Sequence, residues 1–217
     1  MSVKVKICGL MDHYTALKAA EYGADAIGLV FAESKRQVLP DQAKEIVSKL
    51  PDHVLKIGVF VNETKEEIER IASTVGLTHI QLHGEESPAF SQSLPLPVVK
   101  AISFESNEGL TDLVHYPADY LLLDGPKGKY RGGNGTSFDW SQVNTISLKG
   151  KKVILAGGLH LENVAEAVKI INPYMVDVSS GVETNGVKDL EKIKAFIETV
   201  KTLPIGGKQN EHLYITE

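Results

Sequence analysis

One thiol, Cys8, is the sequence's only cysteine, with Lys6 two residues before it and Gly9 immediately after. A thiol beside glycine can reach a ligand, and cations such as Lys6 or Arg36 could draw its pKa from about 8.5 toward neutrality, which would suit a base or a nucleophile. The same residue can equally be a small buried hydrophobe. Asp124 opens Asp-Gly-Pro, where its carboxylate could exchange a proton or simply cap a turn. His83 follows Gln81-Leu and could donate to a ligand or to the backbone at the end of a strand. Asp177 belongs to Asp-Val-Ser179-Ser180-Gly181, and Ala156-Gly157-Gly158-Leu159 forms a second glycine-rich stretch. Glycine lets backbone N–H groups approach an anion closely and serine hydroxyls add donors, so these two stretches together point to a phosphorylated ligand. Ser34-Lys35-Arg36 supplies a planar guanidinium suited to a carboxylate.

Other chemistries are disfavoured. The seven histidines show no metal-binding spacing, and one cysteine cannot form a zinc cluster or an intrachain disulfide. No metal or cofactor is expected. Gly125-Pro-Lys-Gly128-Lys129 lacks the spacing and the Ser or Thr of a phosphate-binding P-loop. With 23 Lys and Arg against 28 Asp and Glu, the net charge of −5 argues against a nucleic-acid partner. The longest apolar run, Ala26 to Ala32, is far short of a membrane span, and MSVKVK lacks a signal-peptide core. A cytoplasmic location is expected, consistent with the lone thiol.

The elements that must position these residues read as a repeat. Eight β-branched runs stand out: Val3–Cys8, Asp25–Phe31, Val54–Val61, Thr78–His83, Val98–Ile102, Tyr120–Asp124, Lys152–Ala156 and Met175–Ser179. They recur about every 25 residues, the length of a strand, a helix and two loops. Asp12 and Gly23 bracket a first helix, Thr64 with Glu67 forms a capping box, Leu161–Ile171 is helical, and Asp189 caps a last helix. Asn107–Val114 carries a weaker helix pattern, and the Gly125–Gly135 stretch delays the next helix to about Trp140. Alternating strands and helices imply parallel pairing, and eight such units in 217 residues predict an α/β fold, a single-domain (β/α)8 TIM barrel over residues 1–201 with a flexible tail over 202–217. Its ligand site lies at the carboxyl ends of the strands, where Cys8, His83, Asp124 and Asp177 fall. Alternation puts Lys6 with Cys8, Gln81 with His83, and Leu122 with Asp124 on common faces.

From Val5 to about Val200 the sequence resembles the phosphoribosylanthranilate isomerase family. The resemblance is carried by Lys6-Ile-Cys8-Gly9-Leu10, Ser34-Lys35-Arg36, Gly58-Val-Phe60-Val-Asn62, Gln81-Leu-His83-Gly84, Leu123-Asp124, Gly132-Gly-Asn-Gly135 with Phe138-Asp-Trp140, Leu155-Ala-Gly-Gly-Leu159 and Asp177-Val-Ser-Ser-Gly-Val-Glu183. Lys35 replaces the proline usual in the second motif, and Asn134 stands where threonine is frequent. The resemblance implies a cofactor-free Amadori rearrangement of N-(5'-phosphoribosyl)anthranilate to 1-(2-carboxyphenylamino)-1-deoxyribulose 5-phosphate, with Asp124 as acid and Cys8 as base. It further implies that Lys6, Arg36, His83 and Asp177 serve the substrate, with Arg36 at the anthranilate carboxylate, and that Gly157, Gly158, Ser179, Ser180 and Gly181 hold the phosphate. Two other readings stand beside it: an imine-forming lyase using Lys6 or Lys100 as nucleophile, and a silent phosphosugar-binding module. The sequence leaves oligomeric state open.

Overall fold

A computed structural model describes residues 2–104, 115–125, 139–143 and 151–203. Eight parallel strands close on themselves: β1 (Lys4–Cys8), β2 (Ala26–Val30), β3 (Leu55–Phe60), β4 (His79–Leu82), β5 (Val98–Ser103), β6 (Tyr120–Asp124), β7 (Lys152–Leu155) and β8 (Met175–Val178). The expected barrel is present, and each strand lies within a residue or two of its predicted run. Closure comes from β1 pairing with β8, which sets Lys6 beside Asp177. His83 lies one residue past β4, yet its N–H still donates to the Phe60 carbonyl at 2.9 Å, so it keeps the strand's direction.

The helices are α1 (His13–Glu21), α2 (Pro40–Ser48), α3 (Lys65–Val75), α4 (Pro88–Gln92), α5 (Trp140–Val143), α6 (Val164–Ile171) and α7 (Leu190–Thr202). Asp12 caps α1 by accepting from the Thr15 N–H at 2.8 Å, and Asp189 caps α7 through the Glu191 and Lys192 N–H groups. Only half of the predicted capping box forms. Thr64 accepts from the Glu67 N–H at 3.3 Å, but the Glu67 carboxylate turns to Arg70, and the Thr64 N–H donates to Glu63 instead. Helix α6 begins three residues later than the expected Leu161, because Asn163 holds the entering turn. Its side chain accepts from the His160 N–H at 2.8 Å and donates to the Gly158 carbonyl at 2.9 Å. The predicted helix over 107–114, the Gly132–Gly135 motif with Phe138, and all of the tail beyond residue 203 lie outside the described residues.

Two apolar cores result. One lies between strands and helices, and includes Ile68, Ile71, Ala72 and Val75 of α3 and Ile193, Phe196, Ile197 and Val200 of α7. The other fills the barrel itself, with Ala26, Ile57, Val99, Leu122, Ile154 and Met175 contributed by six different strands. At the amino ends of the strands, Tyr120 packs against His79 and Tyr174, and Lys152 lies over the Tyr120 ring at 5.0 Å. These rings fill the amino end of the barrel, and its polar inward residues Cys8, Gln81, Asp124 and Asp177 meet open space at the carboxyl end.

Candidate active site

A cavity of about 660 Å³ occupies that end. Cys8, Arg36, His83, Asp124, Gly157, Gly158, Asp177, Ser179 and Ser180 all line it, so nine of the residues singled out from the sequence share one chamber. Two do not reach it. Lys6 is fully buried below the floor, and Gly181 packs into the loop after β7, where a side chain would meet the Leu159 carbonyl at 1.9 Å. Lys100 is also absent from the walls. Its ammonium is tied to the Gly84 carbonyl and to Glu86, both at 2.7 Å, which removes it as an accessible nucleophile.

Below and along the floor runs a continuous polar chain. Lys6 Nζ donates to Asp177 Oδ2 at 2.7 Å and to Gln81 Oε1 at 2.7 Å. Gln81 Nε2 meets His83 Nδ1 at 3.1 Å, and His83 Nε2 lies 3.3 Å from Asp124 Oδ2. Five residues from β1, β8, β4 and β6 are therefore linked across the barrel. Burial alone would strip the Lys6 proton, but the Asp177 charge and hydrogen bond, with a contribution from Cys8, outweigh it and hold the pKa above its ordinary value. Asp124 Oδ1 accepts from the Gly125 N–H at 2.8 Å, so the carboxylate braces its own turn while its other oxygen faces His83. Asp177 lines the cavity, and among the described residues its buried Oδ1 has no hydrogen-bond partner.

Cys8 departs from expectation in its titration. The cations are near, yet burial pushes the thiol up, and the Asp177 charge adds to it, against the opposing pull of Lys6, Lys188 and Arg36. The resting group is a thiol, and the predicted drift toward neutrality is corrected accordingly. Space for it comes from β2: a Cβ on Gly28 would stand 2.6 Å from Cys8 Sγ and 3.0 Å from Lys6 Cε.

Arg36 is held from outside the expected set. Glu183, at the start of a short hairpin (Glu183–Thr184 with Val187–Lys188), takes its Nε at 2.6 Å and its Nη2 at 3.0 Å. Lys188 joins them, reaching Glu183 Oε1 at 2.8 Å, the Ser179 carbonyl at 2.8 Å and Ser179 Oγ at 3.2 Å. Burial would raise the Glu183 carboxyl, but the Arg36 and Lys188 hydrogen bonds and charges bring it from 4.5 to about 2. Arg36 lines the cavity, and among the described residues no partner is seen for its remaining guanidinium N–H groups. Sequence reasoning passed over three residues here. Gln81 was visible as the inward neighbour of His83 by alternation, whereas Glu183 and Lys188 act through contacts that no local spacing encodes.

A family model described as N-(5'phosphoribosyl)anthranilate (PRA) isomerase matches residues 5–199. A relative from Bacillus cereus (strain G9842), named N-(5'-phosphoribosyl)anthranilate isomerase, is 54% identical over 196 residues, covering 90% of this chain and 96% of the relative. Among solved structures, the phosphoribosyl anthranilate isomerase of Thermotoga maritima superposes with a TM-score of 0.86 at 40% identity, covering 93% of this chain and 100% of that one. A structure of phosphoribosyl anthranilate isomerase in complex with reduced 1-(o-carboxyphenylamino)-1-deoxyribulose 5-phosphate gives a TM-score of 0.83 at 39% identity over 93% of this chain and 100% of its own.

Proposed function

The chain belongs to the N-(5'-phosphoribosyl)anthranilate isomerase family and acts as that isomerase in tryptophan biosynthesis, and from this premise we propose that Cys8 and Asp124 divide its proton transfers. The reaction is an aldose-to-ketose rearrangement that needs a proton delivered at one atom and removed at the next. Asp124 gives its proton to the furanose ring oxygen as the bond from that oxygen to the anomeric carbon breaks, leaving an open-chain protonated imine whose nitrogen keeps its hydrogen. Cys8, as thiolate, then takes the proton from the adjacent sugar carbon, and the resulting enolamine settles to the amino ketone. No redox or group-transfer partner enters this balance.

The observation that carries the reading is that Cys8 and Asp124 open into the same cavity as the glycine and serine loops after β7 and β8. Those loops, Gly157–Gly158 and Ser179–Ser180, suit the substrate phosphate, with Gly181 shaping the second one from behind. The product analogue named in the complexed relative carries both a phosphate and an aromatic carboxylate. Arg36, braced by Glu183, can meet that carboxylate with its remaining donors. Asp177 stands on the cavity wall where the sugar would lie, and His83 stands beside the acid. Lys6 serves from beneath, as the partner of Asp177 and Gln81 rather than in contact with substrate. Among the described residues no helix is long and apolar enough to cross a membrane, and the lone thiol suits the cytoplasm.

Loss of fluorescence on mixing the purified protein with freshly prepared phosphoribosylanthranilate tests turnover. The expected outcome is complete conversion without added metal or cofactor. Binding without turnover would favour a silent phosphosugar module. Trapping of substrate by borohydride on a lysine would favour the imine lyase, for which Lys100 is already occupied by Glu86.

A further inference from the structure

We propose that Gln81 is a positioning residue that fixes His83 as its Nε2–H tautomer and so aims a hydrogen-bond donor at the Asp124 carboxylate. The argument begins at Lys6, whose ammonium is fully buried and has donors only. The Gln81 atom 2.7 Å from it must be the carbonyl oxygen, since the amide nitrogen there would oppose donor to donor. Its NH2 group is thereby turned to His83, and Nδ1 at 3.1 Å has to accept. A neutral imidazole that accepts at Nδ1 carries its proton on Nε2, the atom 3.3 Å from Asp124 Oδ2. Lys6 is itself pinned by Asp177, so orientation passes from a charged pair on β1 and β8 through Gln81 on β4 to the carboxylate on β6.

The consequence concerns the state left after proton delivery, and here the inference rests on the reading of Asp124 as the acid. Once its proton has gone to the ring oxygen, the carboxylate keeps the Gly125 N–H on Oδ1 and has His83 Nε2 3.3 Å from Oδ2, close enough for a proton on that nitrogen to stabilise the charge. The opposite tautomer would present a lone pair to Oδ2 and oppose the carboxylate left after proton delivery. Among the described residues, the charged and titratable groups around His83 are Asp124 from β6, Lys6 and Asp177 reached through Gln81, and Cys8, Glu33, Arg36 and Glu63 on the shared cavity wall.

The experiment is nitrogen-15 NMR of histidine in the whole wild-type chain near neutral pH, with the His83 signals assigned by their loss in His83→Asn. The expected spectrum shows Nε2 protonated and Nδ1 bare. A Gln81→Glu variant, which puts an acceptor against Nδ1, should draw the proton to that atom, shift the pH profile of kcat and lower kcat about tenfold or more, with KM changed by less than about threefold. In an Asp124→Asn background the same change should cost less than about twofold, because the pair acts as one unit. A wild-type His83 protonated on Nδ1 overturns the inference whether or not the variant folds. So does a Gln81→Glu enzyme that moves the proton yet keeps wild-type kcat, or one that loses as much without Asp124 as with it. Wild-type turnover in Asp124→Asn alone brings down the acid assignment instead, and leaves the tautomer standing.

Discussion

Cys8 combines two properties that pull apart: it is the proposed base, and its surroundings keep it protonated at rest. Burial favours the neutral thiol, so the thiolate forms only above the ordinary thiol range. Because Asp124 must keep its proton while Cys8 loses its own, kcat should follow a bell with one limb from the acid and one from the thiol, and the thiol's limb should vanish in Cys8→Ala, whose residual rate lies lower by about 10²-fold or more. A pH profile of kcat in both proteins checks this, and near-normal turnover in Cys8→Ala would return the residue to the role of a packed hydrophobe. Cys8→Ser should be nearly as slow, since a hydroxyl is a far weaker acid than a thiol. The acid side is tested in the same assay: Asp124→Asn keeps the turn to Gly125 but loses the transferable proton, and should slow ring opening by about 10²–10⁴-fold while substrate still binds. Gly28 is a third residue-scale probe. Its added methyl in Gly28→Ala would press on Sγ at 2.6 Å, and a base displaced by even part of an ångström should cost about tenfold or more in kcat.

Among the elements, the loops after β7 and β8 carry the phosphate hypothesis jointly. Gly157 and Gly158 both have positive φ, 76° and 63°, a backbone that favours glycine, and both line the cavity. Inorganic phosphate at millimolar levels should compete with substrate, raising KM without changing kcat. Gly158→Asp should weaken substrate binding several-fold beyond Gly158→Ala, which shares the strain but not the charge, and equal effects in the two would move the phosphate elsewhere. The strands and caps were legible in the sequence because each is a local pattern: β-branched runs set by alternation, and Asp12, Thr64 and Asp189 set by N–H groups within three residues. Local spacing also put Cys8, His83, Asp124 and Asp177 at strand ends. What it could not supply were the partners. The Arg36 bond to Glu183 spans 147 positions and the Lys6 bond to Asp177 spans 171, so each exists only once the barrel has closed. The thiol's titration failed for the same reason, because its dominant cause is burial, which no neighbour in the sequence announces.

At the scale of the whole molecule those long-range pairs join the first βα units to the last, and one of them sets how the protein should respond to acid. Glu183 is buried against Arg36 and Lys188, with a carboxyl held at about 2 against 4.5 for the free group. A depressed carboxyl stabilises the fold in full above its unfolded value, and that contribution is lost as pH falls from about 4.5 toward 2. Taken alone the shift corresponds to about 3 kcal/mol. Lys188 works in the opposite sense: burial lowers its pKa, with Arg36 adding to this, despite the pull of Glu183, so the cluster's net worth is smaller than the carboxyl suggests. Replacing Glu183 with Gln removes the charge but leaves two buried cations facing each other, and should destabilise the protein at neutral pH by about 3 kcal/mol or more. Urea unfolding across pH distinguishes this from a simple packing defect. The gap between wild type and Glu183→Gln should be constant above about pH 5 and should narrow steadily below it, as wild type loses what the variant never had. A gap unchanged down to pH 3 would mean that Glu183 contributes shape rather than charge, and that the first and last loops are held together by packing alone.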